Sequence, residues 1–197
     1  MAPNASTVGA VFKAANQGGA HTVAAWLDQG GGVDAHCAEL EGMTLLMAAA
    51  SGGQGAMVRM LLQRGASVNL QNSHGETALM GAAAFGHTTI VQALLDAKAD
   101  ASLQSTSGGT ALMHAAAGGH TTTVQALLDA KADASLQSTD GSTALMWAEH
   151  QEHAATAQRS STTIDGLQRG VGLGVEQRLH GRGVAVGSSV HQGGATV

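Results

Sequence analysis

The stretch QALLDAKADASLQST, residues 92–106, recurs letter for letter as residues 125–139. The two copies lie 33 residues apart. Glycines recur at the same interval, at Gly42, Gly75, Gly108 and Gly141. A fixed period of this length is typical of a solenoid, in which each unit buries its apolar face only against its neighbours. The pattern therefore predicts a stack of similar units rather than one compact globule.

Each unit reads as two short helices followed by a loop. In the unit that begins at Gly75, Thr77 is placed to cap a first helix with its hydroxyl, and Gly86 is placed to end it in a left-handed conformation. A second helix is predicted over 87–97, because its apolar residues form the stripe of a helix packed on two neighbours. That stripe is Ile90, Val91, Leu94 and Leu95. Residues 98–109 are polar and rich in Ser, Thr and Gly, which indicates a loop.

The composition favours a helical core and an intracellular compartment. Of the 197 residues 44% are apolar but only 2% are aromatic, so Ala, Leu, Val and Met must supply the core. No apolar run approaches the roughly 18 residues of a membrane span, and residues 1–10 do not resemble a secretory signal. Cys37 is the lone cysteine, which excludes a disulfide framework and a thiolate zinc site. We expect a soluble protein of the cytoplasm, or alternatively of the nucleus.

The charges divide the chain into an acidic body and a mildly basic tail. Before Arg159 there are five Lys and Arg residues against twelve Asp and Glu, a net charge of −7. From Arg159 onward there are four Arg against two acids, a net charge of +2. Nucleic-acid binding depends largely on neutralising phosphates, so an acidic body argues against a nucleic-acid partner.

Four stretches of the chain resemble the ankyrin repeat, a 33-residue unit of two antiparallel helices and a projecting finger. They are GMTLLMAAASGGQ, GETALMGAAAFGH, GGTALMHAAAGGH and GSTALMWAEHQEH. The resemblance implies an all-α solenoid of about 4.5 repeats. The expected units are 8–41, 42–74, 75–107, 108–140 and a partial one at 141–158, after a flexible N-terminus at 1–7. The first unit is the weakest match, and its finger, 34–41, carries two extra residues.

Two positions depart from the family pattern in every unit. The family's Pro is replaced by Leu45, Ala78, Ala111 and Ala144. The family's first His is replaced by Met47, Met80, Met113 and Met146. Loss of Pro at the first helical position removes a residue that pre-sets the backbone, so we expect a weaker array. The Met column is interpreted as core filling.

The fifth unit loses its register after Gln158. Ser160 and Ser161 stand where the other units have the two leucines of the second helix. Residues 159–197 hold nine Gly and no apolar periodicity, which predicts a disordered, low-complexity tail. Such an abrupt loss of register is what a change of reading frame or an error in the gene model would produce.

No motif predicts a catalytic, cofactor or metal site. The glycine-rich stretch 170–174 lacks the strand and the helix that a nucleotide-binding loop needs. His150 and His153 have no further ligand at metal-binding spacing, and His87, His120 and His153 match a structural His of the family. Cys37 beside His36 is interpreted as a free thiol that is exposed or half-buried.

The positions that the family leaves variable form the candidate partner-binding surface, on the concave side of the stack. The resemblance carries over to Gln71, Ser73, His74, Glu76, Phe85, Gln104, Thr106, Ser107, His114, Thr139, Asp140, Ser142 and Trp147. Trp147 is predicted to point into the groove. So large an apolar group is unfavourable in water, so we expect either a partner or the chain's own tail to cover it.

The function that these expectations favour is a monomeric, non-enzymatic module that binds a protein partner in the concave groove. Two other interpretations stay open. The chain is either a duplicated or truncated array without a strong partner, or the targeting arm of an enzyme whose catalytic part lies elsewhere. The 39 residues after Gln158 are too few to build a catalytic domain.

Overall fold

The computed structural model describes residues 5–150, which form a single-file stack of helix pairs. The first and second helices of the units alternate along the chain, with a short hairpin in the first finger. The elements are α1 Ala5–Gln17, α2 Ala20–Asp28, β1 His36–Cys37, a 3₁₀ turn Ala38–Leu40, β2 Met43–Thr44, α3 Leu45–Ser51, α4 Gly55–Gln63, α5 Ala78–Ala84, α6 Thr88–Asp96, α7 Ala111–Ala117, α8 Thr121–Asp129 and α9 Ala144–His150. The predicted tail at 159–197 and the end of the partial fifth unit lie outside the described residues.

The predicted helix signals are confirmed. The Thr77 hydroxyl accepts a hydrogen bond from the Met80 backbone N–H at 3.3 Å, and Thr44 and Thr110 make the same cap in their units. Gly86 follows α5 with a φ of 68°, the left-handed conformation that ends the helix. In the second unit Met47, at the position of the family's first His, also takes part in the cap, because its sulfur accepts from the Thr44 N–H at 3.4 Å.

Stacking of first helices on first helices, and of second helices on second helices, produces a continuous core. Each of α3, α5 and α7 packs between two other first helices, and α6 packs between α4 and α8. Ala82 and Ala115 are fully buried in these contacts, because an alanine lets the neighbouring backbone approach closely. Leu94 and Leu127 are likewise fully buried and form the predicted stripe of the second helices.

Two histidines join consecutive units. His87 Nε2 lies 3.2 Å from the Ser51 carbonyl oxygen, and His120 Nε2 lies 3.0 Å from the Ala84 carbonyl oxygen. In both cases the carbonyl belongs to the first helix of the preceding unit, near its C-terminal end. The helix ends leave such carbonyls without an intrahelical partner, so these side chains satisfy them. The structural interpretation of His87 and His120 therefore agrees with their contacts.

The Met column is core filling in three of its four positions. Met47, Met80 and Met113 are buried, as predicted. Met146 is 52% exposed, so the prediction is wrong for the fourth position. The reason is that a unit's first helix is covered on one side by the next unit, and no described helix follows α9.

The first unit is better packed and begins earlier than its weak resemblance predicts. Its first helix begins at Ala5, inside the segment 1–7 that was expected to be flexible. Phe12, Val23 and Trp26 are buried, and anchoring of this kind allows a helix to propagate outward from its packed turns. A Cβ on Gly31 would overlap the Trp26 indole, so this glycine permits the close contact.

The longer first finger forms a small antiparallel hairpin. His36 pairs with Thr44 and Cys37 pairs with Met43. Cys37 is buried in this hairpin, so the expectation of an exposed or half-buried thiol is wrong. Strand alternation is the physical reason, since the side chain of Cys37 faces the core while its neighbour His36 faces solvent.

Candidate partner-binding surface

A groove of about 650 Å³ lies on the concave side, between the finger tips and the first helices. Its apolar walls come from Met43, Met47, Met80 and Phe85. Its polar lining includes Asn16, Ser51, Asn72, Glu76 and His114. The volume lies within the range of sites that enclose a drug-sized ligand or a few side chains.

One helical position changes size along the stack, and two of its residues, Gly81 and His114, line the groove. This position is occupied by Gly81 in α5, by His114 in α7 and by Trp147 in α9. At Gly81 there is no side chain, and the Ser51 hydroxyl occupies the place that a Cβ would take. Gly81, Ser51 and His114 all line the groove, so a hydroxyl and an imidazole from neighbouring units border it over α5.

Phe85 is the apolar side chain most open to solvent on this surface. It is 62% exposed and stacks on His87, with the ring centroids 6.2 Å apart and an angle of 26° between the rings. The stacking holds the ring at the rim of the groove without covering its outer face. Exposed aromatic groups of this kind supply contact area to a partner at low conformational cost.

His114 is a mostly buried side chain that borders the groove. Burial lowers the pKa of His114 below its ordinary value of 6.5, and the nearby Glu76 carboxylate opposes that shift. No described atom forms a hydrogen bond with its Nε2, although this atom is buried. The ring meets Trp147 edge to face, with centroids 5.6 Å apart and an angle of 84°.

Trp147 is covered by its own neighbours, which the sequence analysis did not foresee. Its Nε1 donates a hydrogen bond to the Ser138 Oγ at 3.3 Å, and its ring packs on His114. The side chain is half-buried and does not line the groove. The adjacent unit and finger therefore already cover part of the ring, and cover of its remaining surface by a partner or the tail stays a prediction.

Many of the predicted contact residues instead tie one finger to the next. The backbone N–H groups of Ser73, Thr106 and Thr139 donate to carbonyl oxygens of the preceding finger at 2.8–2.9 Å. The Ser73 and Thr139 hydroxyls donate to those same carbonyls. Ser107 takes part through its own carbonyl, which accepts from Thr139. These side chains hold the finger row in place.

The amides of Gln71 and Gln104 each bridge two fingers. The Gln71 Nε2 donates to the Gly75 carbonyl at 2.7 Å and to the Gln104 carbonyl at 3.0 Å. The Gln104 Nε2 repeats the pattern with Gly108 and Gln137, both at 2.9 Å. The donors of both amides are therefore already occupied in the free protein.

The remaining predicted residues are His74 on the second described finger and Asp140 and Ser142 on the finger at 137–142. His74 Nε2 lies 2.6 Å from the Glu41 carboxylate, so it forms an ion pair with the preceding finger when it is protonated. The Ser138 hydroxyl and the Ser142 N–H donate to Asp140, which lowers the pKa of this exposed carboxyl below its ordinary value. Neither His74 nor Asp140 lines the groove.

Three of the thirteen predicted residues line the groove, namely Glu76, Phe85 and His114. Ten other residues line the groove, and they include Asn16, Met47, Asn72 and Met80, which sequence reasoning missed. The two methionines were assigned to the core alone, yet each also has an edge facing the groove. The family register offers a signal for Asn72, since it lies on the finger between two predicted positions, but none for Asn16 in the divergent first unit.

A family model described as ankyrin repeats in three copies matches residues 11–105 and 80–159, more than half of the chain. The chain belongs to the ankyrin-repeat family. The predicted fold class, an all-α solenoid of these repeats, is thereby confirmed. Ankyrin repeats are generally protein–protein interaction modules and are typically non-catalytic. A comparison with curated proteins found no match.

Two further findings concern other classes of function. Within residues 5–150, no helix of this ankyrin-repeat chain is long and apolar enough to cross a membrane. The same part of the chain brings together no group of three His, Cys, Asp or Glu side chains that is suited to hold a metal ion.

Proposed function

We propose that the chain is a non-enzymatic module that binds a protein partner in the concave groove over α3, α5 and α7. The observation that carries the proposal is the combination of the exposed Phe85 at the rim with a thioether-lined groove beside it. Three methionines line that groove, and flexible, polarizable Met side chains adapt to an incoming apolar group. A few desolvated anchors of this kind supply most of the affinity of an interface.

The finger row supports the proposal because it makes the surface rigid before a partner arrives. Gln71 and Gln104 bridge consecutive fingers, so the tips do not need to be ordered on binding. A preformed surface avoids part of the entropy that association costs. The residues that bridge the fingers thus keep the surface in its shape, and the residues that line the groove contact the partner.

Site-specific photo-cross-linking tests the location of the binding surface. A benzophenone amino acid replaces Phe85 on the groove rim in one protein and Gln92 on the exposed face of α6 in the matched control. We expect the Phe85 probe to cross-link one recurrent protein from cell extract and the Gln92 probe to leave that protein unlabelled. Equal labelling from both positions, or none from Phe85, contradicts the proposal. The second outcome favours an array without a strong partner.

A further inference from the structure

The described chain places carboxylates on both sides of the stack but keeps nearly all of its Lys and Arg on the side of the second helices. The finger tips, defined as residues 38–42, 71–76, 104–109 and 137–142, carry the carboxylates Glu39, Glu41, Glu76 and Asp140 and no Lys or Arg. The first helices α3, α5, α7 and α9 also have no Lys or Arg. Apart from Lys13 on α1, the cations of the described chain lie on the second helices or in the turns after them. These are Arg59, Arg64, Lys98 and Lys131. The concave side is therefore acidic.

Glu76 places one of these negative charges in the groove itself. Its carboxylate accepts a hydrogen bond from the Asn72 side-chain amide at 3.0 Å. Within the described residues no Lys, Arg or His forms an ion pair with it. The charge is held by Asn72 and left without a cation, so it is available to one supplied from outside.

The apolar part of the groove lies next to that charge. Met43, Met47 and Met80 line the same space as Glu76, and Phe85 extends it to the rim. Gly81 lines the same space over α5 and contributes no side chain to it. An occupant that satisfies both features carries an aliphatic group and a cation a few residues apart on an extended backbone.

We propose that the groove recognises an extended, positively charged segment of a partner protein. An aliphatic side chain of that segment enters between the methionines and Phe85, while a neighbouring Lys or Arg pairs with Glu76. This inference rests on the proposed function and names the chemistry of the partner. The chain's own residues 159–197 also have a net positive charge, so they are a competing occupant that the test must separate.

The test uses the full-length chain and a fluorescent twelve-residue peptide, the Arg-Leu peptide, in which the unit Arg-Ser-Leu-Ser is repeated three times. This spacing places Arg and Leu on the same face of an extended backbone. Fluorescence anisotropy measures the peptide's dissociation constant at low and at high salt. We expect binding that weakens about tenfold or more when each Arg is replaced by Glu, and also when each Leu is replaced by Ser. Added salt should weaken binding of the parent peptide, since the charged contact is near solvent.

Two protein variants locate the contact. Glu76→Gln keeps the size of the side chain, and it should weaken binding of the Arg-Leu peptide about threefold or more. Asp96→Asn removes the same charge from the exposed face of α6, where the carboxylate accepts only from Gln92 among the described residues. It should leave the dissociation constant unchanged. Equal effects of the two variants would show that the peptide responds only to overall charge, which overturns the proposal.

Truncation and cross-linking separate the other outcomes. If the chain that ends at Gln158 binds the peptide more than about tenfold tighter than the full chain, residues 159–197 are the occupant and the proposed partner segment is wrong. If the Phe85 probe labels a protein but no Arg-Leu peptide binds, the cationic chemistry is wrong and the groove function stands. If neither occurs, both proposals fail.

Discussion

The two identical fifteen-residue segments have the same sequence but do not make the same contacts. In the first copy the Ser105 Oγ accepts from the Gly109 N–H and bonds to the Ser107 hydroxyl. In the second copy the equivalent Ser138 Oγ donates to Asp140 and accepts from Trp147 Nε1. Ser105 is half-buried whereas Ser138 is buried. The environment of a residue in this stack is therefore set by the unit that follows it as much as by its own segment.

The four equivalent methionines also show that the following unit determines the environment of a residue, and the difference among them is larger. Met113 is fully buried between α5 and α9, and Met146 holds the equivalent position in α9 with half of its surface exposed. We expect Met113→Ala to lower the free energy of unfolding by about 2–5 kcal/mol, because it opens a cavity in a packed interface. Met146→Ala should change it by about 0.5 kcal/mol or less.

Urea denaturation measures the loss of stability in both variants from the shift of the transition midpoint, at an unchanged slope of free energy against urea concentration. Met80→Ala is a second interior control, since Met80 is also buried between two first helices. Equal losses of unfolding free energy for Met113→Ala and Met146→Ala would contradict the claim that the following unit determines how much each methionine contributes to stability.

Substitution of two glycines at equivalent positions distinguishes the cost of backbone strain from the cost of a clash with the next finger. Gly108 and Gly141 both have a left-handed φ, of 77° and 82°. A Cβ on Gly108 would lie 2.7 Å from the Ser138 Cα and the Thr139 N, whereas one on Gly141 meets no described atom within 4 Å. We expect Gly141→Ala to cost about 1 kcal/mol and Gly108→Ala about 3 kcal/mol, measured by thermal unfolding. Equal losses of stability in the two variants would mean that the next finger moves away from the new Cβ without a loss of stability.

The duplicated serines give a smaller matched pair. Ser138→Ala removes a buried hydroxyl that serves Trp147 and Asp140, so it should cost about 1–1.5 kcal/mol. Ser105→Ala removes a half-buried hydroxyl with one backbone partner and should cost about 0.5 kcal/mol. Chemical denaturation of the two variants measures both losses, and a larger loss at Ser105 would contradict the ranking.

The smallest expected effect is a pH dependence at His114. Burial lowers the pKa of His114 in the folded state, so the folded protein resists protonation more than the unfolded chain does. The stability contribution is complete above the ordinary pKa of 6.5 and is lost as the pH falls below it. We expect the unfolding temperature to fall less between pH 7.5 and 5.5 in His114→Ala than in the parent chain.

His21→Ala is the control for this experiment, because His21 is exposed on α2 and forms no ion pair among the described residues. Unchanged pH dependence in His114→Ala would show that burial of this ring does not oppose protonation.

The sequence predicts those features that repeat and misses those that depend on neighbours. The Thr77 cap, the Gly86 terminator and the second-helix stripe follow from local patterns, and the structure confirms each of them. The exposure of Met146 was missed because its residue type matches three buried equivalents. A repeat pattern predicts the structure of one unit, but it does not predict which residues are exposed at the end of the stack.

The candidate surface shows the same division. Glu76, Phe85 and His114 were predicted from family register and do line the groove. Gln71 and Gln104 satisfied the same rule, yet their amides bridge fingers, because carbonyl acceptors of two fingers lie within their reach. Register places a side chain on the concave side, and only the structure shows whether its polar atoms are already bonded.

Hydrogen exchange on the duplicated segments tests most directly whether neighbours set the properties of each unit. Residues 93–106 and 126–139 have identical sequences and identical preceding residues, so their intrinsic amide exchange rates are equal. Any difference between α6 and α8 then reports local opening alone. Because α6 packs between two second helices, α4 and α8, whereas no described second helix lies beyond α8, we expect the amides of residues 93–96 in α6 to exchange at least about tenfold more slowly than those of residues 126–129 in α8. Equal protection of the two helices would contradict the account.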